Sequence, residues 1–486
     1  MRALHFIAWL PLASAFNSYR STLTDCLNAG SVPILLTSSP GWSQEIAPYN
    51  LRFTPAPTVR TAVKCANKAN VKATVKGGGH SYGAFGLAGT MVIDMMEFQN
   101  VTLDAATGIA SVGAGLRLGN MATKLFQLGQ RGLPHGTCPG VGIGGHATLG
   151  GFGLDSRLWG LTLDTVVALD VVLANGTAAT VTATQHGDLF WALRGAGPGF
   201  AVITQFHMKT FPAPSVNINW SHSWSFSSAS AAAAAFLAAQ NWGQQNAPKE
   251  LGYGIVVGPA GGFTLRGVYY GAKSDYEAII APLLALMKSV TGGAQPSSSV
   301  QVLGWIDSLT ALAGSSLSTP VQGYDLHDTF YAKSIDTKES ATLSITALQG
   351  LFKYLFTTTP PGGAQWFILA NLYGGPGSVI NSFPPSTDPS STSCYANRDG
   401  GYVWQFYAFT GNSQPPFNPA IITFVKNMVG SLGAEAAGLP AYAPYADPQF
   451  TQTEAQVRYW GAGVPRLKAI KSQVDPKGIL YNPQGF

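Results

Sequence analysis

Charge is scarce in this chain. Asp, Glu, Lys and Arg make up only 10% of the 486 residues against 46% apolar ones, so its surface must be built from Ser, Thr, Asn and Gln. The net charge of +5 is small for this length, and Lys and Arg nowhere form a run of five. That argues against the basic stripe that nucleic acid requires. Beyond the N-terminus no stretch offers the ~18 apolar residues that a bilayer-crossing helix needs, so no membrane span is expected. There is no internal repeat, and the one low-complexity stretch is the Pro/Ser-rich run 385–393. A single core rarely grows to this length, so two domains are expected.

The N-terminus has Arg2, a short apolar run over 3–12, and then Ala13-Ser14-Ala15. This is the pattern of a secretory signal peptide occupying 1–15, with a buried N-terminal helix as the alternative. Sequons at Asn100, Asn175 and Asn219 are compatible with export and glycosylation. Secretion favours disulfides. The four cysteines, Cys26, Cys65, Cys138 and Cys394, allow three full pairings.

Two glycine-rich loops dominate what is there. The first, Gly77-Gly78-Gly79-His80-Ser81-Tyr82-Gly83, follows a short β-branched strand predicted over 71–75. The second runs from His135 through Cys138, Val141, Gly142 and Gly145 to His146, after an amphipathic helix predicted over 116–129. Glycine lets backbone approach a ligand closely and lets N–H groups cradle phosphate. Each loop carries one nucleophile, His80 or Cys138. Imidazole nitrogen and thiolate are the side chains best able to add to an electron-poor ring. Taken singly, His80 also reads as a loop histidine with a structural hydrogen bond. Zinc on His135, Cys138 and His146 lacks the usual ligand pairing, and no metal site is expected.

The GGGHSYG loop, followed by HGTCP-x-VG-x-GGH, resembles the berberine-bridge-enzyme-like branch of the vanillyl-alcohol-oxidase flavoproteins, and most of all its secreted fungal oligosaccharide oxidases. The likeness extends over nearly the whole chain after the first twenty residues. It implies an α+β, two-domain FAD-binding fold with an antiparallel-sheet substrate domain. It also implies FAD bonded covalently to His80 and Cys138. Gly77, Gly78, Gly79, Ser81, Val141, Gly142, Gly145 and His146 would line the cofactor. So would Gly199 and Ile203 in the segment DLFWALRGAGPGFAVI, and Asn482. The resemblance favours a Cys26–Cys65 disulfide, which leaves Cys394 free. His146 would meet the edge of the flavin where negative charge gathers, as a positive or hydrogen-bonding group. A small residue at Val141 would leave room for oxygen.

The remaining chain reads as strands 217–226, 253–257, 263–270, 365–373 and 401–409 separated by helices. The implied organisation is an FAD domain over 16–211, a substrate domain over 212–418, and a segment 419–486 that returns to the first domain. Tyr445 matches the family's catalytic tyrosine, a base that takes a substrate proton, and Tyr82 would orient it. Gln405, Trp366 and Tyr373 would contact a sugar; core packing is the commoner fate of strand aromatics. The family's oligosaccharide oxidases carry aspartate where Asn371 stands here, and Pro444 and Gly463 replace family asparagines.

The implied activity is that of a secreted monomeric oxidase. It would pass hydride from the anomeric carbon of a reducing oligosaccharide to FAD, giving the lactone, with O2 reduced to H2O2. The alternatives are a secondary-metabolite alcohol or amine as substrate, or a serine hydrolase using Gly79-His80-Ser81-Tyr82-Gly83 as a nucleophile elbow. A flavin-binding protein without catalysis is a further reading.

Overall fold

The computed structural model describes residues 63–324 and 326–486, together with positions 23, 25–27, 29 and 39. The signal-peptide reading lies outside these residues. Two large apolar cores organise the rest.

The first core surrounds a five-stranded antiparallel sheet made from Val101–Asp104, Ile109–Gly113, Val202–Lys209, Val166–Val172 and Ala178–Val181, in that spatial order. The helices Leu118–Gly129 and Gly187–Ala196 pack on it through residues such as Leu125, Phe190 and Trp191. The helical turn Thr162–Thr165 precedes the strand Val166–Val172, and in it the Asp164 carboxylate accepts the Leu161 amide at 2.9 Å. Beside this sheet a parallel pair, Ala73–Lys76 and Met91–Asp94, leads into the first glycine loop.

The second core lies under a seven-stranded antiparallel sheet. Its spatial order is Ser297–Leu303, Asn217–Ser225, Gly262–Tyr269, Leu251–Val257, Gln365–Leu372, Gly400–Phe409 and Phe330–Lys338. Alternation along each strand decides which residues meet what. In Gly400–Phe409, Tyr402, Trp404, Phe406 and Ala408 enter the core beneath the helices Ala229–Asn246 and Ile345–Thr357. Gln405, Tyr407 and Phe409 point the other way and line a cavity against the first half of the molecule.

The chain then returns. Ala441, Ala455, Tyr459, Trp460, Leu467 and Leu480 are buried in the first core. The return starts later than residue 419, because Ile421, Phe424, Val425 and Met428 of the helix Ala420–Gly430 belong to the second core.

Two buried arginines fasten the halves together. Arg157, fully buried, donates to the carbonyl oxygens of Gly374 (2.9 Å), Pro248 (2.7 Å), Leu251 (2.5 Å) and Ala247 (2.8 Å). Arg398 grips Asp164 through two hydrogen bonds of 2.9 and 2.6 Å. Arg157→Met would leave those carbonyls facing an apolar chain. A loss of about 3 kcal/mol or more is expected, read as a lower thermal midpoint; an unchanged midpoint would show that Arg157 is not the fastener.

Cys26 and Cys65 form the disulfide that the resemblance implied. Cys394 is buried and free, its thiol donating to the Ala192 carbonyl at 3.4 Å.

Candidate active site

The two glycine loops meet face to face. A Cβ on Gly78 would stand 2.3 Å from the Gly142 nitrogen, and one on Gly142 would stand 2.2 Å from the Gly78 nitrogen. No side chain fits at either position, so this contact requires both glycines. Arg117 clamps the same junction. One of its nitrogens, Nη1, donates to the carbonyls of Gly78 at 2.8 Å and Gly140 at 2.6 Å.

These loops form the floor of a cavity of about 600 Å³ whose roof is the seven-stranded sheet. His80 and Cys138 both line it. Burial pulls the His80 imidazole down to about 3, with the positive field of Arg117 and the neighbouring His327 acting in the same direction. Its ring is therefore neutral and keeps a nucleophilic lone pair. Burial raises the Cys138 thiol, while the amides of Gly140 and Val141 and the charge of Arg117 oppose that shift by favouring the thiolate.

Gly77, Gly79, Ser81, Val141, Gly142, Gly145, His146, Gly199, Ile203 and Asn482 line the same cavity. A Cβ at Gly145 would meet nothing within 4 Å, so this glycine faces open space. His146 accepts the Gly136 amide on Nε2 at 3.0 Å. Burial lowers it to about 3, with nearby His135 adding to the shift. In this setting the His146 ring is neutral and hydrogen-bonded.

Ser81 does not form a nucleophile elbow. Its Oγ accepts the Phe85 amide at 3.1 Å, and only the single 3₁₀ turn Phe85–Leu87 follows. An elbow needs a helix directly after the serine, so the hydrolase alternative falls.

Tyr445 enters the cavity from the turn Ala443–Tyr445. It stacks on Tyr82 with ring centroids 5.6 Å apart and meets Tyr442 edge-on at 5.0 Å. The Tyr82 hydroxyl accepts the Gln405 amide at 2.6 Å. The turn is held from below: Asp447 accepts from Tyr331 at 2.9 Å and from Lys333 at 2.6 Å. The Tyr442 hydroxyl accepts the amides of Gly151 (3.0 Å) and Phe152 (2.9 Å). Burial pushes the Tyr445 phenol up to about 12; Arg266 pulls it down and Asp336 pushes it further up.

The sugar-contact expectations divide. Gln405 lines the cavity. Trp366 does not: with Ile368, Ala370 and Leu372 it packs into the core on the far side of the sheet. Residues 366–370 are apolar throughout, so the sequence gives no alternation by which to choose a side. Tyr373 is buried one layer behind the wall, stacked on Phe152 at 4.3 Å and edge-on to Tyr442 at 6.1 Å. Asn371 lies on the cavity-facing side, two residues along the strand from the lining residue Leu369. Among the described residues it makes no hydrogen bond to Tyr445.

Arg117, Tyr442, Lys333, Asp447 and Arg266 were not legible as site residues.

The donor set fits FAD. A glycine-lined trough runs from the two nucleophiles to the turn at Gly199, whose φ is +98°, and to Asn482. Residues 51–182 match the family described as FAD binding domain, and 441–486 match the one described as berberine and berberine like. The chain is 36% identical to a xylooligosaccharide oxidase of Thermothelomyces thermophilus, over 97% of this chain and 95% of that one. The solved xylooligosaccharide oxidase from Myceliophthora thermophila C1, in complex with xylobiose, superimposes with a TM-score of 0.87 at 34% identity, over 96% of this chain and 98% of that one. A glucooligosaccharide oxidase from Acremonium strictum, whose FAD is 6-S-cysteinyl, 8α-N1-histidyl, gives 0.86 at 30% identity, over 96% and 98%. With this relatedness across the full described fold, the chain belongs to the berberine-bridge-enzyme-like family of FAD-linked oxidoreductases.

Proposed function

We propose that the protein is an extracellular carbohydrate oxidase that oxidises the anomeric hydroxyl of a reducing saccharide to the lactone. The observation that carries this reading is that Tyr445 shares one cavity with His80 and Cys138. A base for the hydroxyl proton therefore faces the two side chains that would hold the flavin. The chemistry that FAD supplies when bound is acceptance of a hydride and delivery of two electrons to O2, giving H2O2.

The chain does the rest. His80 and Cys138 tether the cofactor at two points, and Arg117 keeps their loops together. Neutral His146 offers a hydrogen bond at the flavin edge. Val141, small and on the cavity wall, leaves room for oxygen. Tyr445 takes the hydroxyl proton, its ring fixed by Tyr82 and Tyr442. Residues 63–211 and 441–486 hold the cofactor, and the sheet between them forms the substrate side. The relatives' sugar substrates support a saccharide. The apolar run over 3–12, the sequons and the Cys26–Cys65 disulfide support secretion. We take the protein to act as a monomer.

The test is anaerobic mixing with a panel of reducing oligosaccharides while following the flavin absorption. Bleaching, followed after oxygen is admitted by equal amounts of peroxide and aldonic acid, is the expected result. Bleaching by a secondary-metabolite alcohol and by no sugar would overturn the carbohydrate assignment.

A further inference from the structure

One charge on the cavity wall has so far only an electrostatic pull on Tyr445 to its name. Arg266 sits on the strand Gly262–Tyr269, on the cavity face of the sheet, and lines the same cavity as Tyr445. Among the described residues it forms no ion pair and no hydrogen bond. The other interior arginines are all held. Arg117 and Arg157 are bound to backbone carbonyls, Arg194 donates to the Leu163 carbonyl at 2.9 Å, and Arg398 is held by Asp164. Arg266 is open to solvent through the cavity, yet the surrounding wall dehydrates it enough to lower its pKa. A guanidinium carries five N–H donors and no acceptor, and those of Arg266 face the cavity with no protein acceptor among the described residues.

Its surroundings define what it could hold. Across the sheet Arg266 pairs with Gly254, and Gly254 pairs with Asn371. Gly254 has no side chain, and a Cβ there would come within 2.6 Å of Asn371 Oδ1. The Asn371 carboxamide therefore lies over Gly254, on the side of Arg266, and the backbones of Arg266 and Asn371 are two strand spacings apart, about 10 Å. This part of the sheet thus sets a cation beside a neutral carboxamide.

Among the described residues no carboxylate supplies the missing anion. Asp336 ends the same register row four strands away, at about 19 Å, and is buried against the Asn397 amide. Asp328 lines the cavity but accepts the Tyr407 hydroxyl at 2.7 Å. A guanidinium whose one task was to bias Tyr445 would be fixed by an acceptor, as Arg117 is; this one is left available to a ligand.

We propose that Arg266 anchors a substrate carboxylate, so that the substrate class is a reducing saccharide carrying a uronic acid. This rests on the carbohydrate-oxidase reading above. A planar carboxylate matches the guanidinium fork with two parallel hydrogen bonds. A dianionic phosphate would call for a second cation, and among the described lining residues on the sheet Arg266 stands alone.

The test compares matched pairs on the flavin-loaded protein: cellobiose with cellobiouronic acid, and galactobiose with digalacturonic acid. The acidic partner is expected to have a kcat/KM about tenfold to a hundredfold higher. Arg266→Gln should erase that preference by raising KM for the acid, and Arg266→Lys should keep part of it. Tyr445→Phe, titrated with glucuronate by calorimetry, should bind it more tightly than glucose, and added salt should weaken that binding. Equal kcat/KM within each pair overturns the inference, as does a preference for glucose 6-phosphate over glucuronate. So does an Arg266→Gln defect confined to kcat and the pH profile on neutral sugars, since that would make Arg266 a positioning residue for Tyr445. If neutral sugars bleach the flavin and acidic ones do not, the oxidase reading stands and this inference alone falls. If no saccharide of either kind bleaches it, the carbohydrate reading itself fails.

Discussion

Tyr445→Phe is expected to remove substrate-driven bleaching of the flavin, with a loss of about 10²–10⁴-fold in reduction rate, while leaving the protein yellow and folded. The substitution deletes only the hydroxyl. The ring keeps its stack on Tyr82 and its edge contact with Tyr442, and the Asp447 anchors below the turn are untouched. Any lost rate is therefore lost proton acceptance.

The pH dependence follows from the sign of the shift. The phenol is raised to about 12 by burial, so at neutral pH it is protonated and only a small fraction can act as base. That fraction grows by about tenfold per pH unit below the pKa. The logarithm of the reduction rate should therefore climb with pH through the neutral and alkaline range in wild type, and lie flat in Tyr445→Phe. Tyr82→Phe is the control. It breaks the 2.6 Å bond from Gln405 but spares Tyr445, and its defect should be smaller. A Tyr445→Phe protein that still reduces at the wild-type rate would move the base elsewhere.

Replacing both His80 and Cys138 by Ala should turn an acid-precipitated pellet from yellow to colourless, with FAD released to the supernatant. Each single variant should keep its pellet colour through the remaining bond. The two side chains line one cavity from different loops, which are joined by the Gly78–Gly142 contact and the Arg117 clamp. His80 is neutral and so already nucleophilic. Cys138 needs its thiolate, which burial opposes and the amides of Gly140 and Val141 favour. Of the two singles, the variant that relies on Cys138 alone should therefore acquire its covalent flavin more slowly. A wild-type pellet without colour would falsify the double tether, though the cofactor could still be bound noncovalently.

The cofactor side was largely readable from local sequence. Glycine spacing around His80 and Cys138 encodes backbone approach directly, so it survives without knowledge of the fold. The disulfide came from the resemblance, and the structure bears it out. The substrate side was less legible. The strand Phe330–Lys338 was not anticipated, because Lys333, Ser334 and Asp336 make it look like a loop. Those polar residues are tolerated because the returning segment answers them: Asp447 pairs with Lys333, the Ser334 hydroxyl accepts the Tyr442 amide at 3.0 Å, and the Asp336 amide donates to Pro440 at 2.9 Å. This unanticipated strand is the one that holds the Tyr445 turn.

By itself, then, the sequence determined the cofactor chemistry and the class of fold, since both rest on short motifs and on hydrophobic patterns that act locally. Tertiary structure alone decided which face of each roof strand meets the cavity. Gly400–Phe409 is buried on both sides, and in Gln365–Leu372 the apolar residues 366–370 follow one another, so neither sequence carries a telling alternation. Only the packing of the helices on one face and the glycine loops on the other sends Trp366 into the core. The register Arg266–Gly254–Asn371 likewise joins a local hairpin to a strand more than a hundred residues further on, and it sets an unanswered positive charge on the wall of the cavity that holds Tyr445.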